Sequence, residues 1–202
     1  MKKVKIAVMV SGGGTNLQAL IDAQNSGIIN NGEIVLVLSN NANAYALTRA
    51  LNAGIKTEVI LKKDFNTALE FEKAIKKTLK ENGVELIVLA GFMSILSEDF
   101  VKDYPERIIN VHPSLIPSFC GAGFYGLRVH EEALKKGVKV TGATVHFVNE
   151  IPDGGKIIMQ KSVKVNKNDT SISLQKRVMQ LAEWKILPKA TNLVCKKILM
   201  EK

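Results

Sequence analysis

The chain has few of the residues and segments that mark several common protein classes. No run approaches the roughly 18 apolar residues that a membrane-spanning helix requires, so a spanning segment is excluded. The two cysteines, Cys120 and Cys195, have no metal-ligand spacing. Their small number indicates a reducing compartment. We therefore predict a cytoplasmic location, no membrane partner and no bound metal.

Arginine and aromatic side chains are also scarce. The formal net charge is +9, which favours anionic partners by electrostatic steering. Only four of the 28 basic residues are arginine, and aromatic residues make up 5% of the chain. Surfaces that bind nucleic acid rely on arginine and on exposed aromatic rings. We expect small anionic metabolites as partners, and no nucleic acid.

The first ten residues resemble a secretory signal only superficially. Lysines precede an apolar run, but that run is short, contains Lys5 and ends in a glycine cluster rather than a cleavage site. We predict that it is a first buried strand. The length of 202 residues suits one domain that buries a substantial core without disulfides or metals.

Short apolar runs alternate with amphipathic segments over the first 110 residues. Continuous apolar runs of strand length, separated by helical patterns, predict a parallel sheet covered on both faces. The predicted strands are Val4–Val10, Ile34–Leu38, Thr57–Leu61, Leu86–Ala90 and a shorter Ile108–Ile109. The predicted helices are Asn16–Ala23, Ala44–Ala53 and Thr67–Glu81.

The rhythm changes after Asn110. Residues 113–126 are rich in proline, glycine and serine and predict a long functional loop. The elements predicted beyond it are a helix at Val129–Lys136, strands at Thr141–Val148 and Lys156–Val165 joined by the turn Asn149–Gly155, and a last helix from Asp169 or Thr170 towards Leu187, which Pro188 breaks or restarts. We predict an α/β fold, a single-domain open, mostly parallel Rossmann-like sheet with helices on both faces and an antiparallel C-terminal edge.

A glycine cluster, Ser11 to Asn16, falls directly between the first strand and the first helix. Backbone amides in such a turn, at the N-terminus of a helix, form an anion site, and the helix dipole strengthens it. The segment is neither a Walker A loop nor a full dinucleotide fingerprint, because Leu17 stands where the third glycine should be. We favour phosphate binding over a turn without a ligand. In this interpretation residues 1–110 form a phosphate-binding half of the domain, and residues 111–202 carry the catalytic loop, the hairpin and the C-terminal helix.

Asn110 and His112 lie at the carboxyl end of a predicted strand, where open α/β sheets bind their ligands. Residues two apart on a strand face the same side, so an amide and an imidazole share one cleft. This pair suits oxyanion stabilisation and proton transfer. If the fold brings Asp153 beside His112, the carboxylate should raise the pKa of the histidine. For His130, in a predicted surface helix, and His146, in a strand, we favour structural roles.

Four segments together resemble the folate-dependent formyltransferases over essentially the whole chain. They are Ser-Gly-Gly-Gly-Thr-Asn-Leu-Gln-Ala at 11–19, Ala-Gly-Phe-Met-Ser-Ile-Leu at 90–96, Asn-Val-His-Pro-Ser-Leu-Ile-Pro at 110–117, and Gly-Ala-Thr-Val-His-Phe-Val at 142–148 with Asp-Gly-Gly at 153–155. The similarity is greatest to the members that act in purine biosynthesis. It implies transfer of a formyl group from 10-formyltetrahydrofolate, as co-substrate, to the amine of 5'-phosphoribosylglycinamide.

The resemblance also implies roles for individual residues. Asn110 and protonated His112 would hold the oxyanion, and Asp153 would keep the ring charged and help to relay the proton of the amine. The residues that would hold the phosphate end of the substrate are Gly14, Thr15 and Asn16, and Glu183 would reach the ribose. The residues that would contact the folate are Met93, Ser94, Ile95, Leu96 and Asn110.

Three positions depart from the family pattern. Ser94 and Ala68 stand where many relatives have arginines that contact the folate, and Pro152 replaces an aliphatic residue.

The length leaves no room for the added domain of a methionyl-tRNA formyltransferase or of a formyltetrahydrofolate deformylase. The alternative that is not an enzyme is a protein that binds a phosphorylated metabolite without catalysis. Such a protein would not require the combination of Asn110, His112 and Asp153, which argues against this alternative. We expect a monomer or a homodimer.

Overall fold

Seven strands form one sheet in the computed structural model, which describes residues 2–202. The strands are β1 (Val4–Val10), β2 (Gly32–Ser39), β3 (Lys56–Val59), β4 (Leu86–Leu89), β5 (Ile108–His112), β6 (Val140–Phe147) and β7 (Ile157–Lys164). They are arranged in the order β3-β2-β1-β4-β5-β6-β7. Pairing is parallel from β3 to β5 and antiparallel from β5 to β7. The predicted α/β fold with an antiparallel C-terminal edge is confirmed.

Seven α-helices connect and cover the strands. They are α1 (Thr15–Asn25), α2 (Tyr45–Asn52), α3 (Ala68–Glu81), α4 (Glu98–Lys102), α5 (Leu127–Lys136), α6 (Ser171–Val178) and α7 (Trp184–Met200). A 3₁₀ turn at Lys62–Asp64 precedes α3, and a π-helical turn at Met179–Glu183 joins α6 to α7. No helix among residues 2–202 combines the length and the apolar character needed to cross a membrane.

The core lies in two layers, one on each face of the sheet. The larger layer packs α1, α2, α6 and α7 against the sheet, and the smaller layer packs α3 and α4 against the other face. Strand β1 contributes to both layers, with every residue buried except Lys5. This burial on both faces explains why the central strands are continuous apolar runs rather than alternating ones.

The strand order reverses direction between β1 and β4. Strands β2 and β3 lie on one side of β1, whereas β4 and β5 lie on its other side. Ligands of open α/β sheets bind at such a switch point, at the carboxyl ends of the strands. The glycine cluster follows β1, and the segment 91–97 follows β4. The topology therefore brings two of the predicted binding segments to one crevice.

Several predicted boundaries are wrong in detail. Strand β5 continues to His112, so Asn110 and His112 belong to the strand itself. Helix α4 is absent from the predicted elements, because its five residues are too short for a periodic pattern. Pro188 neither breaks nor restarts the last helix, since it lies inside α7, shortly after the π-helical turn.

Candidate active site

The glycine cluster forms an open loop between β1 and α1. Gly14 adopts the left-handed conformation with φ of 71° and provides no side-chain cap for α1. A side chain would not fit there, because a Cβ on Gly14 would lie 2.6 Å from the Cβ of Ala46. Within residues 2–202, the backbone N–H groups of Gly13, Gly14 and Thr15 have no hydrogen-bond acceptor. Unpaired N–H groups at the start of an eleven-residue helix form the anion site that the sequence predicts.

Glu183 lies beside this loop. It is buried in the π-helical turn, and the amide of Asn16 donates a hydrogen bond to its Oε2 at 2.7 Å. Burial raises the pKa of Glu183 to about 7, although the Asn16 hydrogen bond acts in the opposite direction. The other side-chain atom of Asn16, Oδ1, is buried without a partner among the described residues. The structure thus brings together all four predicted substrate-binding residues, Gly14, Thr15, Asn16 and Glu183, at the carboxyl end of β1.

His112 and Asp153 meet at the carboxyl end of β5. The Nδ1 atom of His112 lies 3.4 Å from Oδ2 of Asp153, and Nε2 lies 2.9 Å from the carbonyl oxygen of Phe119. A carbonyl oxygen only accepts hydrogen bonds, so Nε2 carries the hydrogen and Nδ1 is the atom that faces the carboxylate. Burial lowers the pKa of His112 below its usual range and outweighs the opposing effects of Asp153 and the Phe119 carbonyl. The carboxylate of Asp153 thus raises the pKa of His112 as predicted, but the net shift is downward because the effect of burial is larger.

Asp153 occupies the turn between β6 and β7. Burial alone would raise its pKa, but the nearby His146 and His112 and the N–H of Gly121, which donates to Oδ2 at 2.9 Å, together hold the pKa below its usual range. The turn brings Asp153 there with a φ of 57°, and the adjoining Gly155 leaves no space for a Cβ against the carbonyl of Phe147. The Asp-Gly-Gly segment at 153–155 therefore forms a turn that places an ionised carboxylate in the site.

His146 is the site residue that the sequence analysis missed. Its Nδ1 lies 2.8 Å from the carbonyl oxygen of Phe147, so Nδ1 carries a hydrogen. Its Nε2 lies 3.2 Å from Nδ2 of Asn110 and 3.5 Å from Oδ1 of Asp153. His146 therefore contacts two members of the predicted catalytic trio. The antiparallel register, which pairs Asn110 with His146, could not be read from one strand alone.

The segment predicted to contact folate divides into exposed and buried parts. Met93 and Ile95 are exposed, and Ile95 is 81% accessible. The N–H of Met93 donates to Oγ of Ser11 at 2.8 Å, and the amide of Asn40 donates to Oγ of Ser94 at 2.9 Å. Leu96 differs, because its side chain packs in the smaller core layer and leaves only its backbone available to a ligand.

Two other predictions concern histidine and metal. His130 is buried rather than on the surface, since it faces inward from α5, and burial lowers its pKa to about 4. Within residues 2–202, no group of three or more His, Cys, Asp or Glu side chains is placed to hold a metal ion. The absence of a metal stays a prediction.

Comparison with known proteins agrees with this fold. A family model described as formyl transferase matches residues 4–191, and the chain belongs to this family. The phosphoribosylglycinamide formyltransferase of Haemophilus influenzae is 43% identical over 184 residues, which cover 91% of this chain and 84% of that protein. A solved structure of glycinamide ribonucleotide transformylase 1 from Symbiobacterium toebii has a TM-score of 0.90 and 38% identity, over 96% of this chain and 89% of that one.

A larger relative shares the same region. The human trifunctional purine biosynthetic protein adenosine-3 is 46% identical over 193 residues. The match covers 96% of this chain but only 18% of the human protein. The similarity therefore concerns one part of that protein.

Proposed function

We propose that this chain transfers a formyl group from 10-formyltetrahydrofolate to the amine of 5'-phosphoribosylglycinamide, a step of purine biosynthesis. The observation that carries the proposal is that adjacent parallel strands bring an anion site and a catalytic cluster to one edge of the sheet. The anion site follows β1, and the cluster of Asn110, His112, His146 and Asp153 lies at the end of β5. A phosphorylated amine held in this way would present its nucleophile to the cluster. Membership of the formyl transferase family supports the same reaction.

The residues of the chain divide the binding of the phosphoribosyl group between them. The N–H groups of Gly14 and Thr15 and the side chain of Asn16 would bind the phosphate, and the dipole of α1 would add to the attraction. Glu183 would accept hydrogen bonds from ribose hydroxyls. Its carboxylate form accepts such bonds better than its acid form does, so binding should improve as pH rises through about 7.

The catalytic cluster would manage charge and protons during amine attack on the formyl carbon. Asn110 donates one Nδ2 hydrogen to His146, and its other Nδ2 hydrogen would bond to the developing oxyanion. His112 is held neutral by burial, so it would take up the amine proton at Nδ1, because Nε2 already carries a hydrogen. Asp153 would stabilise the resulting imidazolium, which then returns the proton to the leaving nitrogen.

The formyl donor would lie against the exposed segment after β4. Met93, Ser94 and Ile95 present side chains there, Leu96 offers its backbone, and Asn110 would contact the formyl end. The arginines common at positions 68 and 94 are absent, so the glutamate end of the folate would be bound with fewer cationic contacts. The proposal keeps the predicted cytoplasmic location, with Cys120 and Cys195 both free thiols, and a monomer or homodimer.

A spectroscopic assay tests the reaction. Purified protein is mixed with 10-formyl-5,8-dideazafolate and phosphoribosylglycinamide, and folate absorbance is followed. We expect a change that requires both substrates and the protein. A change that persists without the ribonucleotide would indicate hydrolysis of the donor, and no change with both substrates would contradict the proposal.

A further inference from the structure

Helix α2 contacts the glycine loop at three consecutive residues. The N–H of Ala46 donates to the carbonyl oxygen of Gly12 at 3.1 Å, and Nε of Arg49 donates to the carbonyl oxygen of Gly13 at 2.9 Å. The side chain of Ala46 also occupies the space beside Gly14. Helix α2, which supplies no predicted ligand contact, therefore fixes the position of the three loop glycines.

These contacts determine where the loop N–H groups point. In a trans peptide the carbonyl of one residue and the N–H of the next point in opposite directions. Holding the Gly13 carbonyl towards α2 therefore turns the Gly14 N–H away from α2, and holding the Gly12 carbonyl does the same for the Gly13 N–H. Both N–H groups lack acceptors among residues 2–202, as expected for donors aimed at an external anion.

Arg49 is itself fixed by neutral partners. Its guanidinium lies over the ring of Tyr45, with Cζ 4.9 Å from the centroid, and donates to Oε1 of Gln18 at 3.1 Å. Gln18 is in turn held by a hydrogen bond to Asp22 at 2.9 Å. No carboxylate of residues 2–202 forms an ion pair with Arg49. Arg49 therefore contacts the glycine loop without a direct ion-pair partner among these residues.

We propose that Arg49 is a positioning residue for the substrate phosphate, which orients the Gly14 N–H by holding the Gly13 carbonyl and adds an unpaired positive charge. The inference rests on the proposed function, and it assigns specificity for a phosphorylated substrate to a residue outside the glycine loop. Arg49 acts through the loop backbone, so its loss should affect ribonucleotide binding and spare the chemistry and the folate.

Two substitutions separate orientation from charge. Arg49→Met removes both, whereas Arg49→Lys keeps the charge but cannot donate to Gly13 and Gln18 in the same fork geometry. We expect KM for phosphoribosylglycinamide to rise about tenfold in Arg49→Met, the size of losing a charge-assisted hydrogen bond, and at least threefold in Arg49→Lys. The kcat and the KM for folate should stay within about twofold of wild type. Arg107→Met removes an equal charge from a distant ion pair with Glu201 and should keep the wild-type KM.

Binding of inorganic phosphate, measured by calorimetry on the same four proteins, distinguishes this inference from the proposed reaction. Phosphate should bind wild type and Arg107→Met equally and bind both Arg49 variants more weakly, whether or not formyl transfer occurs. Equal phosphate binding and an unchanged ribonucleotide KM in Arg49→Met would overturn the inference. Wild-type phosphate affinity and ribonucleotide KM in Arg49→Lys would overturn the orienting role of Arg49. If the wild-type protein bound no phosphate, both the anion site and the role of Arg49 would be overturned.

Discussion

His112 and Asp153 lie 3.4 Å apart, Nδ1 to Oδ2, where the end of β5 meets the turn between β6 and β7. The histidine is almost completely buried and the aspartate partly so. Burial lowers the pKa of the ring, while the two histidines and Gly121 keep the carboxylate ionised. The pair therefore combines a neutral proton acceptor with a fixed negative charge, which suits proton transfer near neutral pH.

Asp153→Asn should lower kcat by about 100-fold or more, because the imidazolium that forms on His112 loses its counterion. The variant should also shift the acidic limb of the kcat/KM profile to lower pH, since the carboxylate is a cause that raises the pKa of His112. Steady-state kinetics from pH 5 to 9 would measure both effects. Glu150→Gln, an exposed carboxylate in the same turn, serves as the control and should keep the wild-type rate and profile.

Gly14→Ala should weaken ribonucleotide binding and spare folate binding. The new Cβ would lie 2.6 Å from Ala46 and would displace the loop whose N–H groups bind the phosphate. Separate calorimetric titrations with each ligand measure the two affinities. Gly54→Ala is the matched control, since Gly54 has a φ of 70° with open space around it, outside the site. If both affinities fell together in Gly14→Ala, general misfolding would replace the local explanation.

Glu183→Gln should change how stability depends on pH. The folded-state pKa of Glu183 is raised from 4.5 to about 7, so the folded protein holds a proton that the unfolded chain releases between these values. Stability of the wild type should therefore fall as pH rises from 4.5 to about 7. Glutamine removes this titration, and the variant should be more stable than wild type at pH 8 by about 3 kcal/mol.

Urea unfolding at pH 5, 6, 7 and 8 measures this difference. Glu81→Gln, at the exposed end of α3, should keep the wild-type dependence on pH. Parallel wild-type and Glu183→Gln curves would show that Glu183 is ionised in the folded protein throughout. The KM for the ribonucleotide should also lose its pH dependence near 7 in Glu183→Gln.

Salt should raise both KM values and leave kcat nearly constant. The net charge of +9 attracts a substrate phosphate and folate carboxylates, and this attraction is screened over about 10 Å at 0.1 M ionic strength. The chemical step takes place inside the site, so screening by salt should change kcat little. Kinetics across a series of salt concentrations measure the effect. Sub-micromolar binding of mixed-sequence RNA or DNA near physiological salt, in a gel-shift titration, would contradict our assignment of this charge.

The sheet and the glycine loop were predictable because their signals are local. The apolar run Val4–Val10 is β1 to the residue, and the glycines directly after it begin α1 at Thr15. Asn110 and His112 are two residues apart on one strand, so their shared face also follows from the sequence. The family resemblance then placed Glu183, whose contact with Asn16 depends on a π-helical turn that no local pattern indicates.

The remaining features depend on contacts between distant segments. The role of His146 follows from the register of β5 against β6, and the lowered pKa of His112 follows from burial that a single sequence does not quantify. Arg49 reaches the glycine loop only because α2 packs beside it. Such contacts arise from tertiary packing, which periodicity and motif spacing do not encode.

The most direct test of the proposed reaction follows the formyl group itself. Wild-type protein is supplied with 10-formyltetrahydrofolate labelled with ¹⁴C in the formyl group and with phosphoribosylglycinamide, and the labelled products are separated. We predict that the label appears in formylglycinamide ribonucleotide in a one-to-one ratio with the folate released. Label recovered as formate, or folate released at the same rate without the ribonucleotide, would contradict formyl transfer by this site.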